Sequence, residues 1–379
     1  MIALSARYAA VALGVAGVMF GGAVVAPGVA AAGPGTTWSI VASPNGARFG
    51  DNTLMEVSAG SAASAWAVGY AGGAGAFRTM VQRWNGSRWA VVPSPNVSPL
   101  DNVLAGVDTV SADDAWAVGY ATRGAFHRAL IEHWNGSAWQ VVPTPQAGNA
   151  DNDLWAVTAL SANNVWAVGN ENVGRFTFRP LVQHWNGRGW NLVRVPSPPL
   201  TGIGASLFGV AAASPRDIWA VGGYATGTRF QPLVEHFDGA RWAIIPVPTA
   251  GSAVLNRVSM LPSGTGWAAG TRGAAPHSRA LIERFNGRRW AAAPTPRVPG
   301  SSSLTDVLAL TPHQAWAVGS YSARPGVNRT LIERWNGHAW TVTPSPGRRP
   351  SSELLGITGT PQHLWAVGDA LTNALILRR

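Results

Sequence analysis

The 379-residue sequence contains no cysteine and no lysine, and only 12% of its residues are charged. The absence of cysteine excludes disulfides, thiolate nucleophiles and cysteine-ligated metals. All 28 basic residues are therefore arginines, and the net charge of +10 is spread along the chain without a basic run. Specific nucleic-acid binding is not expected from this pattern. Together with abundant alanine, glycine and proline, the exclusive use of arginine indicates the coding bias of a GC-rich bacterial genome.

Long apolar runs are also scarce, and the longest lies at the N-terminus. It extends from Ala9 to Val25, follows the single charged residue Arg7 and precedes the small residues 29–32. This order predicts a secretory signal peptide over residues 1–32 and a secreted, extracellular mature protein. Retention of the apolar stretch as a membrane anchor is the alternative, given its length. No second run of about 18 apolar residues occurs, so no membrane span is expected after cleavage.

Tryptophan, in contrast, is abundant, with 19 residues. One phrase containing tryptophan recurs seven times at intervals of 48 to 53 residues. Its anchor residues are Trp66, Trp116, Trp166, Trp219, Trp267, Trp316 and Trp365. A period near 50 is typical of a propeller or another array of repeated units.

The second repeat shows the unit most clearly. Short β-rich runs cover Leu104–Val110, Ala115–Tyr120, Arg128–Trp134 and Trp139–Val142, and Asn135-Gly136 between the last two is a hairpin-turn pair. Four short strands with turn signals between them predict one antiparallel blade. The sequence therefore predicts an all-β fold, a seven-bladed β-propeller of four-stranded antiparallel blades.

The two ends of the chain complement each other. The seventh repeat stops at Arg379 after its third strand, while Trp38–Pro44 matches the fourth-strand pattern of Trp139–Pro145. We therefore expect the N-terminal strand to complete the last blade, which closes the ring and removes a free edge. The propeller is predicted as one domain over residues 33–379.

The phrases Ala115–Gly119 and Trp134–Pro143 resemble the kelch repeat of galactose-oxidase-like propellers. The resemblance covers nearly all of residues 36–379, although the paired glycine of the kelch motif occurs only as Gly222-Gly223. It implies a propeller of a family whose members mostly bind proteins, while some are oxidases. The copper-dependent oxidase chemistry of that family uses a linked tyrosine–cysteine pair, which a cysteine-free chain does not form.

Most tryptophans recur at fixed places in the repeat, which predicts packing between blades rather than ligand binding. Eighteen of the nineteen follow this rule. Trp155 is the exception, since its equivalents in the other repeats include Met55, Ala105 and Phe208. His133, His184 and His236 also share one third-strand position and are interpreted as framework residues.

The loops after the second strands differ most between repeats and are predicted to form the binding face, because variable loops on a rigid scaffold commonly carry function. The candidate ligand-binding residues are Arg123, Phe126, His127, Trp155, Arg175, Phe178, Arg229 and Phe230. Arginine beside aromatic residues is typical of interface hot spots. The expected partner is an extracellular protein or a glycan, and the protein is expected to be a monomer.

No catalytic, cofactor-binding or metal-binding residues are predicted, since the histidines lack metal-ligand spacing and no phosphate loop occurs. Calcium binding by three Asp–Asn pairs is one alternative, at Asp51-Asn52, Asp101-Asn102 and Asp151-Asn152. These are also ordinary turn residues. We interpret the chain as a non-enzymatic binding module. The alternatives are a glycan-binding lectin, or a carbohydrate-active enzyme that uses channel residues such as Glu56, Arg257 and Asp306.

A further pattern links the third strands. Arginine opens five of them, and glutamate or glutamine follows four positions later, as in Arg128 with Glu132 and Arg179 with Gln183. Because residues i and i+4 lie on one face of a strand, an arginine–glutamate ladder is expected, with an anion-binding ring as the alternative.

Overall fold

The computed structural model describes residues 37–379 except 74, 175, 176, 200, 201, 249, 250, 275, 325 and 349. The predicted signal peptide, residues 1–32, lies outside the described residues. Within them the chain forms strands and turns but no helix, and so no helix in this part is suited to crossing a membrane.

The strands form seven groups that follow the repeats of the sequence. Blades one to three contain β2 (Asp51–Ser61), β3 (Ser64–Gly73), β4 (Ala76–Trp84), β5 (Trp89–Val92); β6 (Asn102–Ser111), β7 (Asp114–Arg123), β8 (Phe126–Trp134), β9 (Trp139–Val141); β10 (Asn152–Ser161), β11 (Asn164–Gly174), β12 (Thr177–Trp185) and β13 (Trp190–Val193). Blades four to six contain β14 (Ala205–Ser214), β15 (Asp217–Thr226), β16 (Arg229–Phe237), β17 (Trp242–Ile244); β18 (Ala253–Met260), β19 (Gly266–Arg272), β20 (Arg279–Phe285), β21 (Trp290–Ala293); β22 (Ser301–Thr311), β23 (Gln314–Arg324), β24 (Val327–Trp335) and β25 (Trp340–Val342). Blade seven contains β26 (Glu353–Thr360), β27 (His363–Ala370), β28 (Asn373–Arg378) and β1 (Ser39–Val41).

Every blade is a four-stranded antiparallel sheet, and blade seven has the order β1-β28-β27-β26. The N-terminal strand pairs with the C-terminal one in the register Ser39 with Arg378, Ile40 with Leu377, and Val41 with Ile376. The predicted fold class, the seven blades and the closure by the N-terminal strand are all confirmed. The chain is a seven-bladed β-propeller.

The anchor tryptophans hold neighbouring blades together. Trp116 of blade two is 2% exposed and packs against Trp185 and Trp190 of blade three, with ring centroids 5.1 and 5.5 Å away. The other blades repeat the arrangement, and at the junction of blades six and seven Trp38 packs edge-on against Trp316 at 5.7 Å. The predicted role of the recurring tryptophans as contacts between blades is therefore confirmed.

We expect the substitution Trp116→Ala to cost about 3–5 kcal/mol of unfolding free energy, because it removes a large buried ring and leaves a cavity between two blades. Chemical denaturation of the parent and the variant measures this difference. Phe126→Ala is the control, since Phe126 is 42% exposed and its removal should change stability by less than about 0.5 kcal/mol. A cost below about 1 kcal/mol for Trp116→Ala would contradict the assignment.

The glycine of the repeated phrase is required by a close approach between the first two strands. In each blade the first strand shifts register by one residue, as between Leu104 and Gly106 in blade two. A Cβ atom placed on Gly119 would lie 1.9 Å from the carbonyl oxygen of Val103. No side chain fits there, and the equivalent glycines of the other blades meet the same obstacle. This steric requirement does not apply to the residue after the glycine, which differs between the blades.

The third strand covers each anchor tryptophan with a cation or an imidazole. His133 packs on Trp116 with ring centroids 4.3 Å apart, and its Nε2 lies 2.8 Å from Oδ1 of Asp114. Where arginine takes this place, as Arg284 over Trp267, its guanidinium lies about 5 Å from the ring centre. The interpretation of His133, His184 and His236 as framework residues is confirmed, since all three stack on anchor tryptophans.

The predicted arginine–glutamate ladder is wrong. Arg128 donates to the carbonyl oxygens of Ala150 and Asn149 in the next connection. Arg78 donates to those of Ser98, Pro99 and Leu100 after blade one. Four residues along a strand span about 13 Å, too far for this contact. The arginines therefore bind loops at one end of the blades, while the glutamates lie buried in the middle.

The buried third-strand position carries glutamine in two blades and glutamate in four. The side-chain amide of Gln82 donates to the Pro44 carbonyl of the neighbouring blade at 2.8 Å, and Gln183 donates to Pro145 at 3.1 Å. At the glutamate positions, burial raises the pKa of Glu132, Glu235 and Glu333 to about 8. A protonated glutamate resembles glutamine in shape and carries one donor, so we infer that these glutamates are neutral in the folded protein below that pH.

Candidate binding face at the channel mouth

One end of the propeller brings together the tips of the second-to-third-strand hairpins and the beginnings of the first strands. In blade two the start of β6 at Asn102 pairs with Ala121 near the end of β7, and the hairpin closes at Arg123 and Phe126. We call this end the loop face and the other end the opposite face. The central channel opens on the loop face between the first strands, and we call this opening the mouth.

The candidate residues that the structure describes all lie on the loop face. Arg123, Phe126 and Arg229 are exposed at hairpin tips. His127, Phe178 and Phe230 stand next to the tips and are half-buried. Arg175 lies outside the described residues. Trp155 is only 3% exposed, so it supports the mouth from beneath the surface.

A hydrogen-bonded chain connects two of the predicted residues, His127 and Trp155. Nδ1 of His127 lies 2.8 Å from Oδ1 of Asp153, and the other oxygen of Asp153 accepts from the amide of Asn170 at 3.0 Å. The indole Nε1 of Trp155 donates to Oδ1 of Asn170 at 2.6 Å. We call these four residues the mouth network. The buried carboxylate of Asp153 fixes the orientation of the imidazole and leaves Nε2 of His127 for other contacts.

Tyr120 packs against both ends of this network. Its ring stacks on His127 with centroids 4.2 Å apart and meets Trp155 edge-on at 6.1 Å. Burial and the nearby Asp153 raise the pKa of Tyr120 well above its ordinary value, so the phenol is neutral. Sequence reasoning missed Tyr120, Asp153 and Asn170. The sequence feature that could have identified these three residues is that the equivalent positions in the other repeats carry side chains of different chemistry.

A second feature of the loop face is an apolar pocket on blade four. Its lining includes two predicted residues, Phe178 and Phe230, together with Ile203, Gly223 and Val254. The pocket has a cavity volume of only about 20 Å3, and Ile203 at its edge is 41% exposed. We call it the blade-four pocket.

The side of the mouth at blade seven is acidic rather than aromatic. Glu353 and Asp369 are partners across two strands, and burial together with the neighbouring Glu353 raises the pKa of Asp369 to about 8. Across the junction with blade one, burial raises the pKa of Tyr70 to about 12. The mouth is thus asymmetric, with rings on blades one to four and carboxyl groups on blade seven.

The polar channel residues form the floor of the mouth. Arg257 of blade five crosses the channel to Glu56 of blade one, with Nη2 and Oε2 2.8 Å apart, and also donates to the carbonyl oxygen of Phe208. Asp306 accepts from the backbone of Val307 and Ile357 at 2.8 and 2.7 Å. Glu56 and Arg257 therefore link blades one and five across the channel, and Asp306 links blade six to blade seven. Below them lies a polar cavity of about 160 Å3.

The Asp–Asn pairs fix the connections between blades. Asn152 binds the backbone of Ala147 through both its amide and carbonyl groups, at 3.0 and 2.7 Å. Asp151 accepts from the backbone nitrogen of His127 at 2.9 Å. Within the described ranges of the chain, no group of three or more potential ligand residues is arranged to hold a metal ion.

A cleft of about 580 Å3 lies at the outer side of blades two and three. Gln146 and Gly148 of the connection form one wall, and Leu192 and Val193 of the outer strand, with Arg194 after it, form the other. Leu192 is 45% exposed. Glu171 and Arg179, which form an ion pair, lie at the end of the cleft toward the loop face.

Comparisons with known proteins show the fold alone. No family model and no curated protein matches the chain. Among solved structures, YCF48 bound to a D1 peptide has a TM-score of 0.55 at 16% identity, over 90% of this chain and 96% of that one. The WD40 propeller domain of Doa1 has a TM-score of 0.58 at 11% identity, over 91% and 97% of the two chains. A xyloglucanase from Xanthomonas campestris has a TM-score of 0.58 at 15% identity, over 90% of this chain and 53% of the enzyme.

Proposed function

We propose that this chain is a non-enzymatic extracellular binding module that engages a protein partner through the loop face of blades two to four. The observation that supports this best is the asymmetry of the mouth. The framework residues repeat in every blade, whereas the combinations of residues that form the mouth network and the blade-four pocket each occur once. A ligand without sevenfold symmetry has to be recognised by features of that kind.

The composition of this sector also favours a protein partner. Arg123, Phe126 and Arg229 are exposed at hairpin tips, and arginine and aromatic residues are enriched among interface residues that contribute most to affinity. The ion pair of Arg257 with Glu56 crosses the channel beneath the mouth. Extracellular location rests on the segment 1–32, which has the order of a secretory signal peptide. One structural neighbour, YCF48, was solved with a peptide bound.

We expect the double substitution Arg123→Ser with Phe126→Ser to weaken partner binding at least tenfold, which corresponds to about 1.4 kcal/mol. Partners would be captured from the extracellular material of the producing organism, identified, and titrated against the purified variants. The melting temperature should stay nearly unchanged, because both side chains are exposed.

The matched control is Arg241→Ser with Ile244→Ser, which removes one arginine at the opposite face and one exposed apolar residue on the outer strand of blade four. Arg241 is exposed at the hairpin turn and Ile244 is 38% exposed. We expect this variant to bind normally. Normal binding by the loop-face variant, together with loss in the control, would show that the wrong face has been chosen.

A carbohydrate-active protein is the second candidate, and the geometry of His127 favours it. An imidazole whose Nδ1 is held by a buried carboxylate presents Nε2 for proton transfer. A glycan array and turnover assays on polysaccharides with the parent and His127→Gln distinguish the candidates. Turnover that depends on His127 would replace the protein-binding proposal.

A further inference from the structure

The cleft beside blades two and three is a site that the proposed function leaves unused, and we call it the outer cleft. Its volume of about 580 Å3 exceeds that of the channel cavity, about 160 Å3. It lies in the range of about 300–1,000 Å3 that is typical of ligand sites. The ion pair of Glu171 with Arg179 marks the end of the outer cleft toward the loop face, so the cleft adjoins the sector of blades two to four.

One wall of the outer cleft carries an arginine where the repeat normally has proline. In most blades a proline stands four positions after the tryptophan of the outer strand, as Pro93, Pro143, Pro246, Pro294 or Pro344. Blade seven has Ala42 at this position, and blade three has Arg194. Arg194 is exposed and lines the outer cleft, and it forms no hydrogen bond or ion pair with the described residues. Only blade three has a cation here.

The floor of the outer cleft contains a backbone acceptor that other blades cap. In three blades a side chain that follows the outer strand donates to a third-strand carbonyl oxygen. The pairs are Gln146 with Ala129, Thr295 with Ala280, and Ser345 with Thr330, at 3.3, 3.3 and 3.4 Å. The equivalent residue of blade three is Pro180, which lines the outer cleft. Because Val182, two residues further along, pairs with β13, the carbonyl oxygen of Pro180 also points to this edge of the sheet.

Blade three has no such cap among its described residues. Val195 stands at the position of the capping hydroxyl residues and has no donor. Ser197, at the position of the capping glutamine, donates to the carbonyl oxygen of the next residue at 3.3 Å. Blade four shares the proline and the valine, as Pro232 and Val247, but keeps the usual proline in place of the arginine. The carbonyl oxygen of Pro180 therefore favours a ligand that supplies an N–H group.

The rest of the outer cleft combines apolar surface with a net positive charge. Leu192 on β13 is 45% exposed. Glu171 is the single acidic residue of the lining, and Arg179 pairs with it. The charge of Arg194 is thus not balanced within the cleft. An anionic ligand with an aliphatic part fits this combination.

We propose that the outer cleft binds an extended segment of the protein partner in which an acidic residue stands beside an aliphatic one. The carboxylate pairs with Arg194, the aliphatic side chain packs on Leu192, and a backbone N–H group of the segment donates to Pro180. This inference rests on the proposed function, because it assumes a protein ligand. It adds that the partner extends from the loop face over the outer side of blade three.

The test uses two peptide probes, acetyl-Gly-Leu-Asp-Leu-Gly-amide and the same peptide with asparagine in place of aspartate, in NMR titrations. We expect the parent to bind the aspartate peptide about fivefold more tightly, the size of effect that a partly exposed ion pair gives. Arg194→Pro introduces the usual residue of the repeat and should abolish this preference. Arg188→Ser is the matched control, because Arg188 is also exposed in blade three but lies in the turn between β12 and β13. It should bind like the parent.

The carbonyl acceptor is tested separately by Val195→Thr, which adds the hydroxyl group that Thr295 uses in blade five. We expect this variant to bind both peptides about threefold more weakly, because its own side chain occupies the acceptor. Its preference for the aspartate peptide should remain.

Equal binding of the two peptides by the parent, or an unchanged preference in Arg194→Pro, would overturn the inference. Melting curves establish whether Arg194→Pro folds, and Arg194→Gln carries the test if it does not. Binding of tri-galacturonate but of neither peptide would overturn the inference in favour of an acidic glycan. A captured partner that is lost from Arg123→Ser with Phe126→Ser but bound normally by Arg194→Pro and Val195→Thr would overturn the outer cleft alone. A partner that all these variants bind normally would overturn the proposed function as well.

Discussion

A variant that begins at residue 46 should lose the cooperative fold, or at least about 5 kcal/mol of unfolding free energy, relative to one that begins at residue 36. The removed segment supplies β1, which pairs with β28, and Trp38, which packs on Trp316. Propeller blades support each other mainly through their neighbours, so an open last blade weakens both junctions beside it.

The segment also reaches blade one. The carbonyl oxygen of Pro44 accepts from Gln82 at 2.8 Å, and Asn45 binds Asn373 at 2.7 Å through their side chains. Its removal leaves the amide of buried Gln82 without its acceptor on Pro44, which adds to the cost. Thermal and chemical unfolding of the two variants measures the loss, and a peptide covering residues 36–46, added in excess, should restore part of it. Equal melting temperatures without the peptide would contradict the closure.

The second large effect concerns pH. The pKa of Glu132, Glu235 and Glu333 is about 8 in the folded protein and near 4.5 when exposed. Between these values the folded state binds more protons than the unfolded state, so stability is full below about pH 4.5 and declines as the pH rises toward 8. Each pKa unit corresponds to about 1.4 kcal/mol, so the three groups together should contribute several kcal/mol.

We therefore expect the parent to be less stable at pH 8 than at pH 5, and the triple substitution Glu132→Gln, Glu235→Gln and Glu333→Gln to reduce this dependence. Glutamine keeps the shape and a donor but does not titrate. A residual slope should remain, since the pKa of Asp369 is also raised to about 8. Chemical denaturation across pH 5–8.5 provides the measurement.

Blade three offers the matched control for this experiment. Gln183 already has the neutral form, and its amide donates to Pro145. Gln183→Glu should therefore add a new loss of stability on raising the pH. A parent whose stability is the same at pH 5 and pH 8, or a triple variant that is less stable than the parent at pH 8, would show that the glutamates are not neutral in the fold.

The fold could be predicted from the sequence because its main determinants are local and repeated. The glycine at position 119, the Asn135-Gly136 turn and the anchor Trp116 each recur with the period of the blade. The completion of the last blade by the N-terminal strand could also be predicted, since Trp38–Pro44 matches the fourth strand that the last repeat lacks. The kelch-type character of the repeat stays a prediction.

The mouth was only partly predictable. The loops after the second strands indicated His127, Phe178 and Phe230, but the contacts that organise them come from the following blade. Asp153 meets His127 across a separation of 26 residues, and no periodic pattern marks that pairing. The arginine–glutamate ladder failed for a related reason, because strand alternation gives the face of a residue but not the distance that its side chain has to span.

The pairing of β1 with β28 also determines how the ring responds to force. Ser39 pairs with Arg378 at one end of the ladder, and Val41 pairs with Ile376 at the other. Both chain ends therefore leave the ladder on the same side. Tension between the termini separates the strands like a zipper, one hydrogen bond at a time, rather than loading all of them together in shear. The packed aromatic side chains hold neighbouring blades together, but the closed propeller thus has a mechanically weak point at the pairing of its two terminal strands.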